Sequence, residues 1–370
     1  MDNTKAISRI ENEIEKINKK ESKVFFFVID TKGNPSGGLS YIYDLAMMLR
    51  EDGYKVEMLY QEQDEFVGVE SWMGEKYASL PHSDIAAGDT AVSASDILFI
   101  PELFSNIMAQ TKKLPCKRIV ILQNYDFVLE QMPISAQWGD LGVLEAVVNT
   151  KQNEEKIKDI FPYVKTSIIN PFINNVFCKT PEPKKMIINI ISKDQRDINR
   201  IIKPFYWKYP MYKWVSFRDL RGFPREKYAQ MLREAAITIW SDSDTNFGYG
   251  ALEAMKSGSL VIAKLPETSQ DWMLNEEKNG LADNCIWFDK FEDVHHLIAS
   301  TVRAFITDSI PSEIDNEAQK TIAPYTYENT KESFVKYVSG VFENRKKEME
   351  SLKIYIKSNN TEEEKTKDNE

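Results

Sequence analysis

Cysteine and histidine are both scarce in this 370-residue chain, with three of each. Cys116, Cys178 and Cys285 stand alone, so neither a CxxC zinc site nor a disulfide framework is indicated. His82, His295 and His296 form no HExxH pattern, and neither GxGxxG nor GxxxxGK[ST] occurs. An excess of positive charge is also missing. Lys and Arg total 47 against 57 Asp and Glu, a formal net charge of -10, which argues against broad attraction to nucleic acid or anionic membrane. The longest apolar runs are strand-sized and too short to span a bilayer. The amino end, MDNTKAISRIENEIEKINKKES, has no signal core, so a cytoplasmic protein is the expectation.

What is present is enough apolar residue, 42%, for two sizeable cores. Residues 1–22 read as an amphipathic helix, with Ile7, Ile10, Ile14 and Ile17 at three- and four-residue intervals. Its acidic residues favour packing on the body or a partner over lying on a membrane surface. Residues 23–170 then read as an α/β domain. The continuous apolar run at 23–30 is a parallel-sheet strand, and further strands are expected at 55–60, 97–100, 118–122, 145–148 and 166–169. The topology of residues 61–95 stays open. Pro171, Pro181 and Pro183 mark a linker at 171–184. A second α/β domain at 185–325 carries strands at 186–191, 213–217, 236–240, 260–263 and 284–288. A helical segment at 326–350 and a polar, disordered tail at 351–370 complete the reading.

The chemistry sits on loops that follow strands, where open α/β sheets bind ligands. In the second domain, Gly248 and Gly250 lead into a short helix carrying Glu253, which Gly258 ends before the 260–263 strand. Glu253 can accept paired hydroxyl hydrogens, as from a ribose. Equally, a carboxylate in a first helical turn stabilises the helix dipole without touching a ligand. Lys193 and Arg196 follow the domain's first strand and can neutralise a departing diphosphate; Arg200 and Lys203 read as solvent-facing. In the first domain, Gly37 and Gly38 let backbone approach a ligand at a helix N-terminus, or else simply make a steric turn. Asn124 and Tyr125 can orient sugar hydroxyls and Asp126 can contact or deprotonate an acceptor, or the trio can cap the next helix. Glu102 is a further acceptor-side candidate. His295 and His296, adjacent on one helix, read as surface or packing residues, and Trp240, Trp272 and Trp287 as core. No metal site is assigned, although Asp242-Ser-Asp244 leaves a cation open.

The segment Phe247-Gly248-Tyr249-Gly250-Ala251-Leu252-Glu253-Ala254-Met255, with the Gly37-Gly38 turn, resembles the retaining, glycogen-synthase-like group of glycosyltransferases called family 4. The likeness covers most of residues 23–345. It implies the GT-B architecture, two Rossmann-like domains facing an interdomain cleft. It also implies a sugar transferred from a nucleotide-sugar donor to an acceptor hydroxyl, with retention and no obligatory metal or other cofactor. The implied donor-binding set is Gly37, Gly38, Lys193, Arg196, Thr245, Asn246, Phe247, Gly248, Tyr249, Gly250 and Glu253. The acceptor set is Glu102, Asn124, Tyr125 and Asp126, and the catalytic candidates are Arg196, Lys193 and Asp126. Two departures stand out. The group's first carboxylate, separated from Glu253 by seven residues, is replaced by Thr245, and a histidine of the first domain is replaced by the Gln123-Asn124-Tyr125 region. These departures motivate a second reading, a noncatalytic glycosyltransferase-like subunit in a homo- or hetero-oligomer formed through the N-terminal helix. A nucleotide-sugar epimerase ranks third, for want of an acid–base pair.

Overall fold

The computed structural model describes residues 3–28, 36–61, 69–85, 88, 90–242, 247–266, 271–275, 277 and 279–367. The chain divides into two units. The first comprises residues 1–149, 153–169 and 331–370, and the second 150–152 and 170–330.

Helix α1 (Asn3–Asn18) opens the first unit, followed by β1 (Lys23–Phe27), α2 (Gly37–Glu51) and β2 (Lys55–Tyr60). The stretch left open by the sequence forms two short helices, α3 (Val69–Met73) and α4 (Glu75–Ala78), and the strand β3 (His82–Asp84). Then come β4 (Ile97–Pro101), α5 (Ser105–Gln110), β5 (Lys117–Leu122), α6 (Tyr125–Gln131), β6 (Glu145–Val148), α7 (Lys151–Ile160) and β7 (Lys165–Ile168). The seven strands form one parallel sheet in the order β3-β2-β1-β4-β5-β6-β7.

Because both faces of a parallel sheet are covered, its strands need no polar alternation. In β1, Phe25 and Phe27 point into a core shared with Leu98, Ile100, Met108, Val128 and Ile157. Phe26 points the other way, stacks on Phe99 at 4.9 Å, and meets Phe334 of the C-terminal helix. Helix α1 packs on this unit. Ile17 is buried, and the Glu13 carboxylate accepts from the backbone N–H and hydroxyl of Ser95.

Residues 171–184 contain no helix or strand. The second unit then runs β8 (Lys185–Ile191), α8 (Gln195–Lys208), β9 (Ser216–Asp219), α9 (Arg225–Glu234), β10 (Ala235–Trp240), α10 (Tyr249–Lys256) and β11 (Leu260–Lys264). A short hairpin, β12 (Leu274–Asn275) and β13 (Gly280–Leu281), precedes β14 (Ile286–Phe288), α11 (Phe291–Ile306) and α12 (Ser312–Ile322). Five parallel strands make its sheet, in the order β14-β11-β10-β8-β9. Ile188 and Ile190 of β8 pack under α8 and α11, while Trp240 and Val261 face α9 and α10. The strand expected at 213–217 begins only at Ser216, because Pro210–Tyr212 first forms a 3-10 turn.

Helix α13 (Tyr327–Lys367) closes the chain and corrects the expected tail. Instead of losing order at 351, the backbone stays helical to Lys367. Its Glu- and Lys-rich end has high helix propensity. No described helix is long and apolar enough to cross a membrane.

Candidate functional site

The C-terminal ends of β8 and β10 bring the second unit's candidates into one region. Gly248 is the N-cap of helix α10, and its left-handed backbone (φ 78°, ψ 38°) suits glycine. A Cβ there would also lie 2.7 Å from the Trp272 ring. The Trp272 indole N–H donates to the Phe247 carbonyl at 2.8 Å and so ties down the turn. The Phe247 ring is buried against Tyr249 and Tyr325, leaving its backbone as the part near the helix start. At Gly250 a Cβ would come within 3.1 Å of Ile191, so the second glycine lets α10 sit close against the end of β8. Thr245 and Asn246 lie outside the described residues.

Glu253 is not in the first turn of α10, which carries no acid. The dipole role considered from sequence is thereby corrected: the helix begins at Tyr249, one turn earlier, and the macrodipole effect fades beyond the first turn. Its carboxyl group is enclosed even though the residue as a whole keeps part of its surface. Burial pushes it up to about 7, against the opposing pull of the Arg225 charge and a hydrogen bond from Tyr228. Both partners come from the first turns of α9, and burial together with the neighbouring carboxylate drives the Tyr228 phenol well above its usual range. The Tyr228 ring is held edge-on against Phe177 at 5.9 Å. The result is a carboxylate with a fixed hydrogen-bond partner and an adjacent cation, set beside a glycine-opened helix N-terminus.

Lys193 and Arg196 are at the same end of the sheet but already paired. Lys193 Nζ lies 3.1 Å from Asp242, which follows β10. Asp194 caps α8 by accepting from the Arg196 backbone N–H at 2.7 Å, and the Arg196 guanidinium folds back onto it at 2.6 Å. That cation holds the Asp194 carboxyl below its usual range. The Arg196 side chain remains 84% exposed, so this is a weak, exchangeable surface pair. Arg221, after β9, chelates Asp219 and also meets Gln195.

In the first unit, Ser36 caps α2 by accepting from Leu39 N–H, which places Gly37 and Gly38 in the helix's first turn. The Gln123 side-chain amide donates to the Gly38 carbonyl at 3.0 Å, and a Cβ on Gly38 would meet that amide at 3.2 Å. Glu102 is 1% exposed. Its Oε1 accepts from the backbone N–H of Gln123 at 3.1 Å and of Asn124 at 2.8 Å, and its Oε2 is buried with no hydrogen-bond partner. Burial raises this carboxyl to about 7 despite those donors. Glu102 therefore props the loop from beneath rather than presenting a surface to a ligand. Asn124 accepts from Asp126 N–H at 2.8 Å and caps α6; Tyr125 has Lys156 Nζ 5.2 Å from its ring; Asp126 is exposed.

Sequence reasoning missed Tyr228, Arg225 and the loop-tying role of Trp272, and noted Gln123 only as part of the region standing in for a histidine. None has a local motif; only Arg225, a cation following a strand, offered a signal. Among the described residues no group of three or more His, Cys, Asp or Glu could hold a metal.

No family profile matches the chain. An alpha-1,6-glucosyltransferase of Actinobacillus pleuropneumoniae serotype 7 (strain AP76) is 28% identical over 174 residues, 46% of this chain and 53% of the relative. The alignment thus spans about half the length of that curated relative. Sucrose-phosphate synthase from Thermosynechococcus elongatus superposes with a TM-score of 0.59 at 12% identity, covering 87% of this chain and 100% of the other. TarM superposes with a TM-score of 0.60 at 10% identity, over 87% and 98%. These likenesses and the two parallel sheets give the chain the α/β GT-B fold of glycosyltransferases, built from two Rossmann-like domains.

Proposed function

We propose that the chain is a nucleotide-sugar-dependent glycosyltransferase that moves a hexose, glucose being the first choice, to an acceptor hydroxyl. The observation that carries this reading is the buried Glu253 carboxylate, fixed by Tyr228 and Arg225 next to the Gly248 helix start. A nucleotide sugar offers matching parts. Ribose hydroxyls donate to Glu253, and the diphosphate takes the positive end of α10. Lys193 and Arg196 exchange Asp242 and Asp194 for the diphosphate, and Thr245 and Asn246 belong to the same donor loop. Support for glucose comes from the name of the relative aligned over 174 residues.

In the first unit, Gly37, Gly38, Asn124, Tyr125 and Asp126 are assigned to the sugar and acceptor end, with Glu102 reassigned as the residue that positions Gln123 and Asn124. During transfer the bond from the anomeric carbon to the diphosphate oxygen breaks, and its electron pair leaves with the nucleoside diphosphate. The acceptor oxygen forms the new bond, and its proton passes to Asp126 or to the departing phosphate. Retention of configuration, independence from metal and a cytoplasmic location belong to the same reading.

A donor screen with glucose carried by different nucleoside diphosphates, scored by thermal shift and by nucleotide release with and without an acceptor pool, tests it. One donor should stabilise the protein, and release should require acceptor. Glu253→Gln should weaken donor binding at least tenfold, about 1.4 kcal/mol. Binding of no donor sinks the reading; turnover unchanged in both Glu253→Gln and Arg196→Ala sinks the residue assignments alone.

The occupied state of Lys193 and Arg196 favours a second reading, a noncatalytic glycosyltransferase-like subunit. In that case donor binds, but release of nucleotide appears only when a partner chain is added.

A further inference from the structure

The end of α8 and the turn after it carry an aromatic surface that neither the fold nor the donor site uses. Between Ile198 and Ser216 the chain has four basic residues, Arg200, Lys203, Lys208 and Lys213, and no acidic one, in a protein of net charge -10. The aromatics of this stretch fall into two sets. Phe205, Tyr206, Tyr209 and Tyr212 turn inward and pack on the core under α8. Trp207, Met211 and Trp214 turn outward and are 77%, 65% and 55% exposed. The inner set satisfies packing; none of the described residues of this unit covers the outer set. Lys203, Lys208 and Lys213 are exposed among them, and no ion pair holds these lysines among the described residues.

We propose that this face docks on an anionic lipid surface. Tryptophan rings settle at the headgroup level of a bilayer, and each nearby Lys or Arg adds attraction to anionic lipid. A second copy of the chain fits less well. A two-fold interface would set this lysine-bearing stretch against the same stretch of the second copy, with no acidic residue between Ile198 and Ser216 to offset the charge. The location suits a peripheral contact. Helix α8 begins beside Lys193 and Arg196 and ends at Lys208. Its 14 residues span roughly 20 Å, so the aromatic face lies at the far end of the helix from the candidate donor site. On the neighbouring α11, His295 and His296 lie beside Lys208 and Tyr209, the Asp293 carboxylate also acts on His295, and the Phe291 ring lies against Arg200. The inference does not depend on the proposed transfer reaction.

Flotation of the full chain with phosphatidylcholine vesicles, and with vesicles containing about a third phosphatidylglycerol, tests it. The protein should float with the anionic vesicles only, less so at high salt. Trp207→Ser combined with Trp214→Ser should reduce the bound fraction at least fivefold. These positions are exposed, so the variant's melting temperature and donor-induced thermal shift should match the parent. Equal flotation of parent and variant, or no flotation of the parent, overturns the proposal. So does retention on immobilised polyglutamate without vesicle binding, which would mark the face as a site for an acidic polypeptide. Concentration-dependent dimerisation lost in the variant, again without vesicle binding, would assign the face to a second copy.

Discussion

Two carboxylates, Glu102 and Glu253, are each raised to about 7 by burial, and they differ in what else they touch. Glu102 has only backbone donors. In the folded chain it stays protonated across a range where the unfolded chain, at its ordinary value of 4.5, has already ionised. The folded state therefore binds more protons, and stability falls as pH rises from about 4.5 to about 7. Glu102→Gln keeps the acceptor for Gln123 and Asn124 and removes that cost. Its melting temperature should gain on the parent's between pH 5 and pH 8, by an amount equivalent to at most about 3 kcal/mol. An advantage that is flat with pH would refute the assignment. Glu253 has a phenol donor as well. Tyr228→Phe removes a hydrogen bond to the charged form, which pushes the carboxyl further up. Donor binding should weaken by about 1.5 kcal/mol or more, and its midpoint should move to higher pH; a titration of donor affinity against pH reads both effects. A merely structural tyrosine would lower stability without moving that midpoint. Sequence reading put Glu102 just beyond a strand and Glu253 on the short helix after a glycine loop, and that much is legible from pattern. Which way a side chain points is not. Glu102 turns inward, and Tyr228 reaches Glu253 from another helix with no motif to announce it.

At the scale of elements, the loop–helix–strand unit at 247–264 depends on a fit between Gly248 and Trp272. Gly248→Ala adds both left-handed backbone strain and a contact at 2.7 Å with the indole, and should cost about 1–3 kcal/mol in chemical denaturation. Trp272→Phe leaves the buried Phe247 carbonyl without its donor at a cost of about 1 kcal/mol. Combining the two should cost less than the sum, because the smaller ring relieves the clash; strict additivity would count against the fit. The strands themselves were readable because parallel strands are apolar on both faces, as at 23–27 and 235–240. Glycine punctuation made α10 readable too. The short helices and edge strand between residues 69 and 84 were not, since they are short and carry little periodicity. The end of α13 was misread because composition typical of disorder is also composition of high helix propensity.

At the scale of the whole molecule, the first unit is discontinuous in sequence: its sheet comes early in the chain, and one of its covering helices comes last. The buried anchors of α13 are Phe334, Val338, Val341, Phe342 and Met349. A chain ending at residue 357 keeps all of them, along with the pair between Lys353 and Glu11, and should melt within a degree or two of the parent. A chain ending at residue 330 loses all of them. Phe26 and Phe99 then have no Phe334 against them, and the fragment should bind a hydrophobic dye and fail to show the parent's cooperative transition. The second unit, nearly continuous from 170 to 330, has no such dependence. During synthesis it can therefore fold as it emerges. The first unit's seven strands must wait, partly uncovered, until roughly 300 further residues have followed β1 off the ribosome.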